Sequence, residues 1–509
     1  MEPEAYLLVG LASVLLLFLW RLTLMLSGRR YAGDRALADE AVHAYLFDEV
    51  RGKRPRRQSV FLLEGSGYPM GYHRLATWIG ISSITSSRVR WIVPTVIDSG
   101  TVLVIVVVLW ALDLPPTYWL LALPFARVWT STEARWVGYG ERSLGTLIGV
   151  LYSVAAFELA TNASMKWYAM LGALVLVILA IAVSKFAVQG VAVTSVAISA
   201  AFWTPLPLAV LVGSVLVAIV APGGYLRSVL AGSLRHSTFY ATYLSANFYG
   251  SHMNHHYSRF IQGWFGLRNP KILLSSPIYR IFSDLPTLAL AVAFMIAGWD
   301  DVNPAFAVWI ACIIGWILLT ATPFMAFLGE PERYLEYVIL PSFLVIALST
   351  KLSVSIPMWI PTLVAIATVV ACLSQIIQSR GDARNRRSAA ALLDELTEAL
   401  AGRSIGVVLT VPYKLAAPLA LARPDAQFYC PVTNVGGAAQ REEFKSMTWR
   451  YPFARADILE LQAARRIDTL IVDREATASL TPYRVPREWH EVASSQRFVV
   501  WQRSGYADQ

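Results

Sequence analysis

Long apolar runs recur along this chain, and nothing else in the sequence limits its fold as strongly. Crossing about 30 Å of hydrocarbon as a helix takes roughly twenty residues, with shorter runs marginal. Runs of that kind fall at residues 6–26, 92–112, 117–131, 143–161, 167–184, 188–203, 207–221, 285–299, 304–323, 335–350 and 355–378. The pattern predicts a polytopic α-helical membrane protein of about eleven transmembrane helices. Composition agrees, since 56% of the 509 residues are hydrophobic and 15% are charged, outside the usual range of a soluble domain.

The first run follows acidic Glu2 and Glu4 with no small-residue cleavage site behind it, which reads as an uncleaved span. The formal net charge of +9 comes from arginines crowded beside hydrophobic runs, so membrane lipids with anionic phosphates are the expected partner, with no nucleic acid. Cys312, Cys372 and Cys430 are too scattered for a disulfide framework or a CxxC metal site. An odd span count puts the termini on opposite sides. It also gathers four charged regions on one side: 28–90, 222–284, 329–332 and everything after 380.

The 28–90 loop holds the strongest candidates for chemistry. Asp39 and His43 are four apart on an expected helix and share a face, with Glu40 beside them. A carboxylate at the mouth of a helix bundle reaches both a lipid-borne substrate and water, which suits a general base. A second helix begins around Tyr68-Pro69-Met70-Gly71-Tyr72-His73-Arg74. In the 222–284 loop, His236, His252, His255 and His256 alternate with aromatics. That mix fits an interfacial helix better than a metal site, because no acid stands in reach. Asp98, Glu158 and Lys185 are ionisable residues in or near spans, where charges usually line a cavity or snorkel to its rim. Arg333 opens a later span, as a snorkelling arginine or as a guanidinium fork for phosphate.

After residue 378 the composition changes. Residues 379–390 read as a basic linker between a membrane domain at 1–378 and a soluble α/β domain at 391–509. Within that domain, helices are expected at 392–401, 415–421 and 457–466, and strands at 405–411, 427–430, 468–472 and 497–502. No GxGxxG or P-loop is present, which argues against a nucleotide domain. The domain is expected to pack over the charged face of the membrane domain.

Taken together, these residues resemble the GT-C superfamily of polytopic glycosyltransferases, which use polyprenyl-phosphate or polyprenyl-diphosphate sugars. Asp39 matches the acid of the first extracytoplasmic loop, and Tyr68-Pro69 with Gly71-Tyr72-His73 is similar to a Tyr-Pro-x-x-His signature, one residue longer. Glu332-Arg333-Tyr334 with Pro341 resembles an Arg-Tyr and Pro pattern of later spans, and Ser184-Lys185-Phe186-Ala187-Val188-Gln189 a recurring mid-chain segment.

The resemblance implies a polyprenyl-phosphate sugar donor and a glycan, lipid or protein acceptor of the cell envelope. It implies transfer with inversion, catalysed by Asp39 or Glu40, with His43, Tyr68, His73, Arg74, Lys185, Arg333 and Tyr334 contacting substrate. No cofactor is called for, although a divalent metal is compatible with such chemistry. The site and the C-terminal domain would face outward across the plasma membrane, whereas the positive-inside rule would put the Arg-rich 28–90 loop in the cytoplasm. The rival readings are a flippase or transporter of a lipid-linked saccharide, and a glycan polymerase or ligase working from the 222–284 loop.

Overall fold

The structure, a computed structural model of the 509-residue chain, describes residues 2–29, 71–78, 92–125, 136–162, 166–244, 247, 281, 285–328, 331–423, 425–429, 437–461 and 467–504. The apolar runs form a helical bundle. Its first half comprises α1 (Pro3–Arg29), the short α2 (Gly71–Trp78), α3 (Ile92–Ala111), α4 (Trp136–Thr161), α5 (Lys166–Val183), α6 (Lys185–Ala201), α7 (Leu206–Val220) and α8 (Tyr225–Thr242). The second half comprises α9 (Pro286–Ala297), α10 (Pro304–Thr320), α11 (Ile339–Lys351) and α12 (Trp359–Ala399).

Six of the described helical stretches are long and apolar enough to cross a bilayer: those in α1, α3, α4 and α5, the stretch ending in α11, and the first half of α12. Several helices able to span a bilayer are what a membrane protein requires; among the described residues there are six such stretches, or seven with the bent pair α7–α8 taken as one, where the sequence pattern predicts about eleven. The expected run at 117–131 begins instead as a 3₁₀ segment, Tyr118–Phe125, packed along α1. Pro115 and Pro116 precede it and Pro124 lies inside it, so the i to i−4 ladder of an α-helix lacks donors there. The helices α6, α9 and α10 have 17, 12 and 17 residues. At 1.5 Å per residue the 12 residues of α9 reach only about 18 Å. The 15 residues of α7 count toward a span only together with α8, across a bend of 112°. Past that bend α8 crosses the bundle, touching α5, α7 and the 3₁₀ segment Pro323–Leu328.

One end of the bundle is tied by charges and the other mainly by neutral contacts. At the far end the Tyr6 hydroxyl donates to the Leu114 carbonyl at 2.7 Å, and Phe157, Phe306 and Trp309 stack together with Phe202 edge-on to Phe157 and Phe306. An exposed Lys351–Asp113 pair closes that end. The Trp20 indole donates to Gln375 at 3.1 Å, joining α1 to α12.

Between α10 and α11 the eight residues Pro331–Val338 form a second kind of 3₁₀ element, and Tyr337 is its wedge. Its ring lies directly on the backbones of two neighbouring helices, at Gly149 of α4 and Gly190 of α6, where a Cβ on either glycine would collide with it. The Tyr337 hydroxyl shares its proton between the Phe186 and Ala187 carbonyls, each at 3.3 Å.

The segment read as a basic linker, 379–390, belongs to α12, which runs 41 residues without interruption and is roughly 60 Å long. Its last turns enter the C-terminal α/β unit, whose five-stranded sheet has the order β2-β1-β5-β7-β6. Strands β1 (Val407–Val411), β2 (Gln427–Phe428) and β5 (Thr469–Asp473) are parallel, while β7 (Phe498–Arg503) runs antiparallel to β5 and to β6 (Trp489–Ser494). Side chains alternate between two faces, as the period of two requires. Val408, Ile471 and Val500 pack under Leu396 and Leu400 of α12 and Leu419 of α13 (Ala416–Ala422).

On the other face, Leu409, Val411, Leu470 and Val472 meet Phe444 of α14 (Ala438–Met447) and the hairpin of β3 (Thr448–Arg450) and β4 (Phe453–Ala454). Phe239 and Leu244, at the end of α8, complete that second core, and the Tyr451 amide donates to the Asn247 carbonyl at 2.7 Å. Arg423 closes the end of α12 by donating to the Leu400 and Arg403 carbonyls, and its hydrogen bonds to Asp425 hold that carboxyl below the usual range. The helix expected at 457–466 is described as α15 (Ile458–Leu461), and both carboxylate oxygens of Asp457 accept from Arg455.

A β-branched side chain at Gly190 has to displace the Tyr337 ring. Gly190→Val is therefore expected to cost about 1 to 3 kcal/mol, read as a lower unfolding temperature in detergent. Gly172→Ala, with no heavy atom within 4 Å of the added carbon, is the control and is expected to leave that temperature unchanged or slightly raised.

Candidate functional site

The site is built around the junction of α5 and α6. Only Ser184 separates the two helices, and its hydroxyl accepts from the Phe186 amide at 3.3 Å, an N-cap that starts α6 at Lys185. A cation in the first turn opposes the helix dipole, so this Lys is not placed for helix stability. The Phe186 ring takes two cations, with Lys185 Nζ 4.9 Å and Arg333 Cζ 4.2 Å from its centroid.

A third cation arrives from α2. Gly71 starts that helix where a Cβ would stand 2.8 Å from the Ala182 carbonyl oxygen, so the close approach to α5 needs a glycine. The Tyr225 hydroxyl of α8 donates to that same carbonyl at 3.4 Å, and Arg74 lies 4.7 Å over the Tyr225 ring. Arg74, Lys185 and Arg333, far apart in sequence, thus meet around one helix junction. Each of the three cations lies by an aromatic ring, and their grouping at one junction suits an anionic group. His236 of α8 stands near Lys185 and packs on Tyr240.

The structure distributes the expected site residues unequally. Arg74, Lys185 and Arg333 come together as described. Tyr334 does not join them, because it is fully buried, donating to the Gln189 side chain at 3.0 Å and to the Leu328 carbonyl at 3.1 Å, edge-on to Trp316. His73 is on α2 next to Arg74, with its side chain outside the described residues. Asp39, Glu40, His43 and Tyr68 also lie outside the described residues, as do His252, His255 and His256. Among the described residues no group of three or more His, Cys, Asp or Glu is arranged to hold a metal.

Two buried ion pairs lie behind the cluster. Arg21 of α1 is paired with Asp98 of α3, and Arg142 of α4 with Glu336 of the 331–338 segment. Thr146, one turn along α4, donates to the second Glu336 oxygen at 2.7 Å. Sequence reasoning marked Asp98 but neither its partner nor the Arg142–Glu336 pair. The available signal was a lone charge inside or at the edge of an apolar run, as for Arg21 in Phe18-Leu19-Trp20-Arg21-Leu22. Glu158, also marked, is half-buried near the far end of α4.

Removing one member of a buried pair leaves the other charge uncompensated, at a cost of roughly 3 to 5 kcal/mol. Asp98→Leu is expected to lower detergent stability by an amount of that order, and the double variant Arg21→Met with Asp98→Leu to recover most of it. Thermal unfolding of the two single variants and the double variant gives the coupling, and additive losses would show that the pair does not act as a unit.

Set beside known proteins, the sequence matches no protein-family model and no curated protein.

Proposed function

We propose that this chain is a membrane glycosyltransferase of the GT-C kind, moving a sugar from a polyprenyl-phosphate carrier to an acceptor of the cell envelope. The observation that supports this most is the gathering of Arg74, Lys185 and Arg333 around Phe186 and Tyr225, at the end of the bundle where α1 ends and α3 begins. The 28–90 loop connects those same two helix ends. A lipid-linked phosphate needs fixed cations near the hydrocarbon boundary and an apolar body beside them for its tail. The two buried ion pairs and the three gathered cations lie at one end of the bundle, which favours an enzyme over a carrier with its site at mid-bilayer.

In this reading Asp39, with Glu40 as its alternative, accepts the proton of an acceptor hydroxyl. The acceptor oxygen bonds to the anomeric carbon from the face opposite the carrier, the carbon–oxygen bond to phosphate breaks, and polyprenyl phosphate departs. Arg333, Lys185 and Arg74 take up the charge that develops on the leaving phosphate. His43 and His73 orient the carboxylate or the phosphate. The site and the C-terminal unit face the outside of the plasma membrane.

The purified protein, given a panel of polyprenyl-phosphate sugars, is expected to release polyprenyl phosphate, and no release from any of them would reject the proposal. Asp39→Asn is expected to lower turnover at least about 10²-fold with donor binding retained. Arg333→Ala is expected to weaken donor binding about ten- to a hundredfold, the loss of a charge-assisted contact. For orientation, Ser59→Cys is expected to react with a membrane-impermeant thiol reagent in intact cells. Labelling only after lysis would put the loop in the cytoplasm.

A further inference from the structure

Arg333 lies on a 3₁₀ segment eight residues long, Pro331–Val338, and 3₁₀ runs beyond three or four residues are uncommon because their hydrogen bonds are strained. Something outside the segment therefore holds it. With three residues per turn, positions i and i+3 eclipse. Tyr334 and Tyr337 form one row, and Arg333 and Glu336 form the next. The tyrosine row is fixed to α6, through Gln189 and through the Phe186 and Ala187 carbonyls. The other row has its own anchor at Glu336, whose carboxylate accepts from Arg142 and, at 2.7 Å, from Thr146. Pro341 has no amide hydrogen to offer the Tyr337 carbonyl, so the α-helical ladder of α11 is not drawn back into the segment.

We infer that Glu336 is a positioning residue: anchored to α4 by Arg142 and Thr146, it sets the rotation of the 331–338 segment and so holds Arg333 over Phe186 for a phosphate-bearing ligand. This rests on the phosphate reading of the cationic cluster. Relaxation of the segment to an α-helix changes the turn by roughly 20° per residue, so Arg333, five residues before Val338, swings by roughly 100°. That rotation removes the guanidinium from the face it shares with Lys185. Glu336 touches no ligand in this assignment and acts only through Arg333.

The test is a binding cycle on the full chain in detergent, with a short-chain polyprenyl monophosphate as probe. Glu336→Gln keeps the size and one acceptor oxygen but loses the charge, and is expected to weaken probe binding about tenfold. In an Arg333→Ala background the same change is expected to have no further effect. A destabilising change that acts by loosening the bundle would weaken binding equally in both backgrounds, and that result overturns the assignment. Thr146→Val, which removes one anchor bond from a side chain of similar size, is expected to give a smaller loss, about threefold, with the same dependence on Arg333. It carries the cycle if Glu336→Gln does not fold. Unchanged probe binding by Arg333→Ala alone would instead reject the phosphate reading, and the positioning role of Glu336 with it.

Discussion

An ionised side chain inside an apolar bundle must be matched by a counter-charge and by hydrogen bonds, and that requirement organises one end of this molecule. Asp98 is met by Arg21, and Glu336 by Arg142 and Thr146. Each pair joins elements distant in sequence, α1 to α3 and α4 to the segment before α11. Apolar contacts alone let helices slide or rotate at little cost, because one methyl replaces another. A charge with one acceptable partner sets the register, in the way a polar residue can in a coiled coil.

The cationic cluster depends on that register. Tyr337 sits in a slot formed by Gly149 and Gly190, and the same 3₁₀ segment presents Arg333 on its neighbouring row. Lys185 reaches the cluster because one capped residue, Ser184, turns the chain from α5 into α6. Arg74 reaches it because Gly71 allows α2 to lie against the last turn of α5. Along α8, Tyr225 serves the cluster at one end and Phe239 completes the core of the α/β unit at the other. The strand ends, the β3–β4 hairpin and the tip of a helix from the bundle therefore share one apolar core. The α/β unit is not separately closed on that side.

Much of the fold was legible. Apolar runs located α1, α3, α5, α6, α7, α9 and α10 within a few residues, since hydropathy and length are local properties. Strands β1, β5 and β7 were also readable, because they are buried on both faces and consist almost wholly of β-branched and apolar residues. Strand β6 was not, since Trp489-His490-Glu491-Val492 lies at a sheet edge with one face in solvent and shows no clear alternation. The 379–390 segment looked like a linker because it is polar and basic, yet arginine and alanine are good helix formers and α12 passes straight through it. At the site, the sequence pointed to Arg74, Lys185, Arg333 and Tyr334; the structure gathers the three cations around Phe186 and Tyr225 and buries Tyr334 against Gln189 and Trp316.

What the sequence determined by itself is the chain's partition: apolar helices, a charged set of connections, and strands gathered in the C-terminal part. Those follow from the cost of exposing or burying each local stretch. Which charges pair, which tyrosine enters which pair of glycines, and which three cations share one junction were decided only by tertiary structure. Arg21 could have snorkelled from its own helix, and Glu336 could have been a solvated residue at a helix start. Pairing is a property of two helices brought within a few ångströms, and no spacing within either one encodes the distance between them.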